Sequence, residues 1–242
     1  MYYESHYHID GRDADHRGQC RLSALLGFLQ ESGTEAANSI GLSHPEMQEK
    51  YHGFWMLARI WVELEKPLCW NDTLTIRTWH RQSKGIISYR DFDLYRGEEY
   101  IGQAISAWVL ADMESHKLMR LDKIKEFAEY GGEGLGKSKT LAHLRLPEEL
   151  KQVECRRLQY SEQDINGHIN NTRYADYACD ALRMENMGKQ FFVTRCQVGF
   201  LAECHAGEKL ALFTGEEAGV DYVRGMGEDG KPRFEAALTI GK

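Results

Sequence analysis

Asp164, Asn166 and His168 stand at alternate positions in the run Asp164-Ile165-Asn166-Gly167-His168, just ahead of a stretch with helical periodicity. An acid, an amide and an imidazole at a helix start supply a base or nucleophile, an orienting hydrogen bond and a proton carrier beside the positive end of a helix dipole. That set suits attack on an acyl carbonyl. A second group, Glu203-Cys204-His205, closes a strand-like apolar run and adds a carboxylate and a thiol. Taken singly, these residues are ordinary: Asp164 and Asn166-Gly167 suit a turn, Glu203 a surface, Cys204 a small core position. Cys204, His205 and Cys196 imitate part of a zinc site, but no four-ligand spacing accompanies them, so neither a metal nor another cofactor is expected.

The elements that must position these groups come in two copies. Asp15-His16-Arg17-Gly18 lies 149 positions before Asp164-Ile165-Asn166-Gly167, and each run precedes a helical pattern. In the first copy Leu22, Leu25, Leu26 and Leu29 recur at helical spacing with Gly41 as a stop. In the second, Asn170 and Asn171 suit a cap, and Tyr174, Tyr177, Ala178, Ala181 and Leu182 follow. Downstream, Arg59-Ile60-Trp61-Val62 through Leu74 matches Arg195-Cys196-Gln197-Val198 through Leu210 at an offset of 136, so the first copy carries a 13-residue excess, placed near Ser43 to Gly53.

Strands are expected at about 54–66, 73–81, 86–96 and 100–113, then at 191–202, 209–215, 222–227 and 233–240, with turn signals between them. The layout is a first repeat at 1–113, a Lys-, Glu- and Gly-rich linker at 114–150 and a second repeat at 151–242. The class is α+β, each repeat one long helix covering the apolar face of an antiparallel sheet. Within the linker, Gly131 to Ser138 satisfies a phosphate-loop pattern, yet no buried strand precedes it and Pro147 follows within ten residues; it reads as a flexible linker.

Only the second copy carries the full polar set. The first keeps Asp15 but has Arg17, Gln19 and Pro67-Leu68-Cys69 at the matching positions. This asymmetry fits one half that performs chemistry and a copy that became a binding wall. Leu22, Leu25, Leu26 and Leu29, with Trp55, Met56 and Trp61, are the candidates for holding an apolar chain there, unless they only fill core.

Asp164-Ile165-Asn166-Gly167-His168-Ile169-Asn170-Asn171, followed by Tyr174, resembles the D-x-N-x-H-V-N-N signature of acyl-(acyl carrier protein) thioesterases, and Phe200-Leu201-Ala202-Glu203-Cys204 resembles their second motif. The resemblance spans nearly the whole chain. It implies a double hotdog fold and hydrolysis of fatty acyl thioesters, with acyl carrier protein as partner and Asp164, Asn166, His168, Glu203 and Cys204 at the catalytic centre. Leu201-Ala202 stands where plant members carry two arginines, which points to a bacterial type. Whether Cys204 or a carboxylate attacks is left open. The competing readings are an acyl-CoA thioesterase, a hotdog dehydratase and a non-catalytic acyl-lipid binder.

The 242 residues carry a net charge of −7, with 42% hydrophobic residues. An acidic balance with interspersed charges argues against nucleic acid as a partner. An acidic carrier protein would need a local basic face, for which Arg156, Arg157, Arg173 and Arg183 are candidates. Neither a signal segment nor an apolar run of membrane-spanning length occurs, and six scattered cysteines suit a reducing compartment, so a soluble cytoplasmic protein is expected, with a homodimer allowed.

Overall fold

The computed structural model describes residues 2–81, 85–121 and 140–242. The phosphate-loop pattern at 131–138 and much of the expected linker lie outside the described residues. Ten strands form one antiparallel sheet: β1 (Tyr3–His8), β2 (Gly53–Leu64), β3 (Thr73–His80), β4 (Ser88–Arg96), β5 (Glu99–Asp112), β6 (Lys151–Arg157), β7 (Phe192–Phe200), β8 (Lys209–Glu217), β9 (Val220–Gly227) and β10 (Pro232–Gly241). Two of them, β1 and β6, escape the sequence pattern. They are the outer edges of the sheet, and β6 is short, charged and mostly exposed, as suits an edge.

The strand order is β1-β3-β4-β5-β2-β7-β10-β9-β8-β6, which reads alike from both ends when β1 to β5 are equated with β6 to β10. At the centre β2 pairs with β7: Arg59 with Gly199, Trp61 with Gln197, Glu63 with Arg195. Arg59 and Arg195, and likewise Glu63 and Gly199, are related by the offset of 136. The seam is therefore symmetric about the Trp61–Gln197 pair.

Three α-helices lie among the described residues. The first, α1 (Leu22–Asn38), buries Leu25, Leu26, Leu29, Ser32, Gly33 and Ala36 at spacings of three and four, and the chain leaves it through Gly41 at φ +71. The second, α2 (His44–Tyr51), occupies the 13-residue excess. There Ser43 and Glu46 form a reciprocal cap, with Ser43 N donating to Glu46 Oε2 at 2.8 Å, and Pro45 sits in the first turn, where no amide is needed. His44-Pro45 thus starts a helix. The third, α3 (Arg173–Ala181), has nine residues, so the second copy's helix is about half as long as the first. Arg183 turns left-handed at φ 56 and ends it.

The apolar stripes of α1 and α3 meet one face of the sheet. Leu25, Leu26, Leu29, Ile60, Ile76, Phe92, Tyr177, Val198, Leu212 and Phe234 form one cluster there. Each large side chain removed from water contributes about 1.5–3 kcal/mol. The opposite face of the first half has its own cluster of Trp61, Ile105, Ala107 and Leu141. No helix among the described residues is long and apolar enough to cross a membrane.

Candidate functional site

The turn at 164–168 is built by its own backbone. Asp164 N donates to His168 O at 2.8 Å, Gly167 N to Asp164 O at 3.1 Å, and Asn166 N to Asp164 Oδ1 at 2.8 Å. Gly167 sits at φ +78, where a side chain is disfavoured. Its amide is engaged inside the turn and does not polarise a substrate. One residue further, Ile169 N donates to Cys204 O at 2.8 Å, which clamps the turn to the end of β7. This clamp brings His168 Nε2 to 3.3 Å from Glu203 Oε2.

His205, the last residue of the Glu203-Cys204-His205 group and given no catalytic part in the sequence reading, joins the cluster. Its ring meets that of His168 edge to face, with centroids 4.9 Å apart, and Nδ1 lies 3.4 Å from Gly167 O. The ligand atoms of His168, Glu203 and His205 lie within 4.8 Å of one another, so these three side chains could hold a metal ion. Cys204 points the other way. It is 1% exposed and borders neither of the cavities described below, and burial raises its thiol pKa. A thiol kept protonated by burial is a poor nucleophile.

Asp164, Asn166, His168 and Glu203 border a cavity of about 600 Å³. The second half also lends it Ile169, Tyr174 and Phe200, and the first half supplies the facing walls: Trp55, Met56 and Leu57 of β2, Gly33 and Ala37 of α1, Leu42 and His44 beside and within α2, and Arg90 of β4. Of the expected chain-binding residues, Trp55 and Met56 are therefore at the cavity and the rest are not. Leu26 and Leu29 are core, while Leu22 and Leu25 border a separate cavity of about 480 Å³. Trp61 faces away, because a bulge between Leu57 and Arg59 shifts the alternation of β2 by one residue. The α2 side chains were missed, although the 13-residue excess was the signal for them.

The first copy's turn repeats the second's backbone. Asp15 N donates to Gln19 O at 2.8 Å, Gly18 N to Asp15 O at 3.0 Å, and Gly18 has φ +79. Its side chains are committed elsewhere. Arg17 Nε donates to Asp15 Oδ2 at 2.7 Å and Arg17 Nη1 to Phe191 O at 3.1 Å, and Gln19 Nε2 donates to Lys189 O at 2.9 Å. Desolvation would raise the Asp15 pKa, but the Arg17 and backbone hydrogen bonds outweigh it and hold the carboxyl below the usual range. This turn, at the 480 Å³ cavity, fastens the two halves together.

Comparison with known proteins identifies the family and the fold. Residues 1–128 match the acyl-ACP thioesterase N-terminal domain, and residues 147–235 match the C-terminal domain. The chloroplastic oleoyl-acyl carrier protein thioesterase of Coriandrum sativum is 25% identical over 226 residues, covering 83% of this chain and 58% of that protein. The chloroplastic palmitoyl-acyl carrier protein thioesterase of Gossypium hirsutum is 26% identical over 179 residues, covering 66% of this chain and 42% of that protein. The chain thus spans about half the length of these curated relatives. Among solved structures, an acyl-ACP thioesterase from Bacteroides thetaiotaomicron superposes with a TM-score of 0.90 at 18% identity, covering 99% of this chain and 98% of that one. The 12:0-ACP thioesterase from Umbellularia californica gives 0.82 at 17% identity, with 99% and 97% covered. These likenesses show the fold, which is of the hotdog type.

Proposed function

The chain belongs to the acyl-ACP thioesterase family, and from that membership and the cavity we propose that it hydrolyses fatty acyl thioesters borne on acyl carrier protein, releasing the free acid. The observation that carries this reading is the 3.3 Å contact of His168 with Glu203 at the border of a cavity whose remaining walls are largely apolar. The two halves act as a double hotdog, 1–113 and 151–242 joined through 114–150. The palindromic strand order and the symmetric seam support that division.

In the mechanism we favour, a carboxylate drives the attack. The Glu203–His168 pair takes a proton from water and returns it to the departing thiolate, which leaves without a strong acid. Asp164, with one oxygen held by the Asn166 amide, presents its charge to the same cavity as nucleophile or base. The proton taken from water goes to the carrier's thiol, and the water oxygen stays on the acid. Cys204 serves as packing beside Tyr174.

Of the four arginines considered for the carrier, three are occupied. Arg156 contacts Glu154 at 3.2 Å and Asp180 at 3.0 Å, Arg173 contacts Asp176 at 3.2 Å, and Arg183 contacts Glu185 at 3.6 Å. Arg157 is exposed, has no ion-pair partner among the described residues and lies beside the Gly207 turn that follows His205. It is our candidate for an acidic carrier. Incubation of the protein with carrier-bound and CoA-bound acyl thioesters, followed by measurement of free thiol, tests the function. Release from the carrier form is expected. Release from CoA alone would favour the acyl-CoA reading, and binding without any release would favour the lipid binder.

A further inference from the structure

Arg90 has no place in that chemistry. It sits on β4 opposite His80 of β3 and Ser106 of β5, on the face that carries Phe92 into the core. Only 8% exposed, it borders the large cavity. Its single hydrogen bond is long, from Nη1 to Thr78 Oγ1 at 3.4 Å. No carboxylate among the described residues pairs with it. The neighbouring Asp91 lies on the opposite face, where Arg81 takes both its oxygens at 2.5 Å. Burial draws the Arg90 pKa down to about 10, so the group remains a cation at neutral pH. Desolvation, and then the charge of Arg90, drives His80 down to about 3, which leaves it neutral. Ser88, hydrogen-bonded to His80, borders the same cavity. Overhead passes Gly33 of α1, where a Cβ would lie 3.4 Å from Arg90 Cδ.

A desolvated cation that no carboxylate among the described residues pairs with is costly to bury, and its N–H groups are suited to donate to water or to a ligand oxygen. In the sheet, β5 and β2 separate β4 from β7, the strand that leads to Glu203. Three inter-strand spacings amount to about 14 Å. Arg90 therefore lies on the wall remote from the Glu203–His168 pair, which an acyl chain held at that pair would run toward. A terminal methyl driven against the guanidinium would strip its water and leave the N–H groups unpaired.

We propose that Arg90, with His80 and Ser88, forms an oxygen-accepting subsite at the far end of the cavity. Water fills it behind a short acyl chain, and a chain long enough to reach it must bring a hydroxyl or comparable oxygen in place of its methyl. This rests on the acyl-thioesterase reading and adds a limit on length together with a class of substrate.

The test uses carrier-bound saturated acyl thioesters of rising length, each paired with its ω-hydroxy analogue. For the unmodified protein, kcat/KM on the plain series should drop once the methyl reaches the subsite, and at that length the ω-hydroxy partner should be favoured by about tenfold or more. Arg90→Met should erase the preference and extend the plain series to longer chains. Equal treatment of both partners at every length would overturn the proposal, as would a folded Arg90→Met variant with an unchanged profile. Should Arg90→Met fail to fold, the paired series on the unmodified protein decides alone. Titration calorimetry with the same pairs as free acids reads the subsite without turnover. A binding preference with no hydrolysis of any thioester would uphold the subsite and count against the hydrolase reading only.

Discussion

An imidazole nitrogen 3.3 Å from a carboxylate, both bordering a largely apolar cavity, defines what single substitutions should do. Asp164→Asn preserves size and hydrogen bonding but deletes the charge, so thioester hydrolysis should fall by about a hundredfold or more while the circular dichroism spectrum stays unchanged. Glu203→Gln and His168→Ala should cost about as much. Normal turnover in either carboxylate variant would remove that residue from the mechanism. Cys204→Ala separates carboxylate from thiol chemistry. Burial raises its thiol pKa, so the variant should retain most activity, and iodoacetamide should label exposed Cys155 before Cys204. An acyl group trapped on Cys204 would reverse the assignment. Arg157→Glu should raise KM for carrier-bound substrate and leave a small pantetheine thioester unaffected; equal effects on both would place Arg157 outside the docking face.

Helical and strand periodicity, with the offset of 136, made most elements readable, because apolar spacing reports which face of a segment is buried. It does not report which of two packed surfaces that face meets. The four leucines of α1 satisfy a helical stripe, which packs into the core and along the smaller cavity; the larger cavity opens further along, at Gly33 and Ala37, where small side chains leave room. Trp61 failed for a different reason: counting by twos from Trp55 predicts the inner face, and the bulge after Leu57 reverses the parity, with no residue-type signal. The motif residues were readable as a set because their backbone turn is local, whereas Arg90 and the α2 wall depend on strands and loops distant in sequence. These placements separate two kinds of variant. Leu29→Ala should cost about 2–5 kcal/mol in denaturant unfolding with no change in the acyl-length profile. Ala37→Leu or Met56→Trp should instead shift released acids toward shorter chains with stability nearly unchanged. A shifted profile in the leucine variant would return α1's stripe to the binding wall.

At the scale of the whole molecule, the site belongs to neither half alone. The second half brings Asp164, Asn166, His168, Glu203, Tyr174 and Phe200 to the cavity, and the first brings side chains of α1, α2, β2 and β4. Several contacts hold the halves in register. The β2–β7 seam is reinforced by Arg195 Nε donating to Glu63 Oε1 at 2.6 Å. Arg59 Nη1 donates to Leu141 O at 3.0 Å, and Gln197 Nε2 to Ala142 O at 2.8 Å, so one stretch of chain straps both central strands. On the side of the silent copy, Arg17 and Gln19 grip the backbone of Lys189 and Phe191. Separating the halves exposes two inner edges, β2 and β7, each with unpaired amides and carbonyls suited to pairing with another chain. Residues 1–120 and 140–242 produced singly should accordingly self-associate and show no hydrolysis, and produced together should regain activity, since the seam and the tethers re-form without a covalent link. Size-exclusion chromatography and free-thiol release on the three preparations check this. If residues 140–242 alone hydrolysed acyl thioesters at a rate near that of the intact chain, the first half would be dispensable for catalysis and the shared cavity would lose its role.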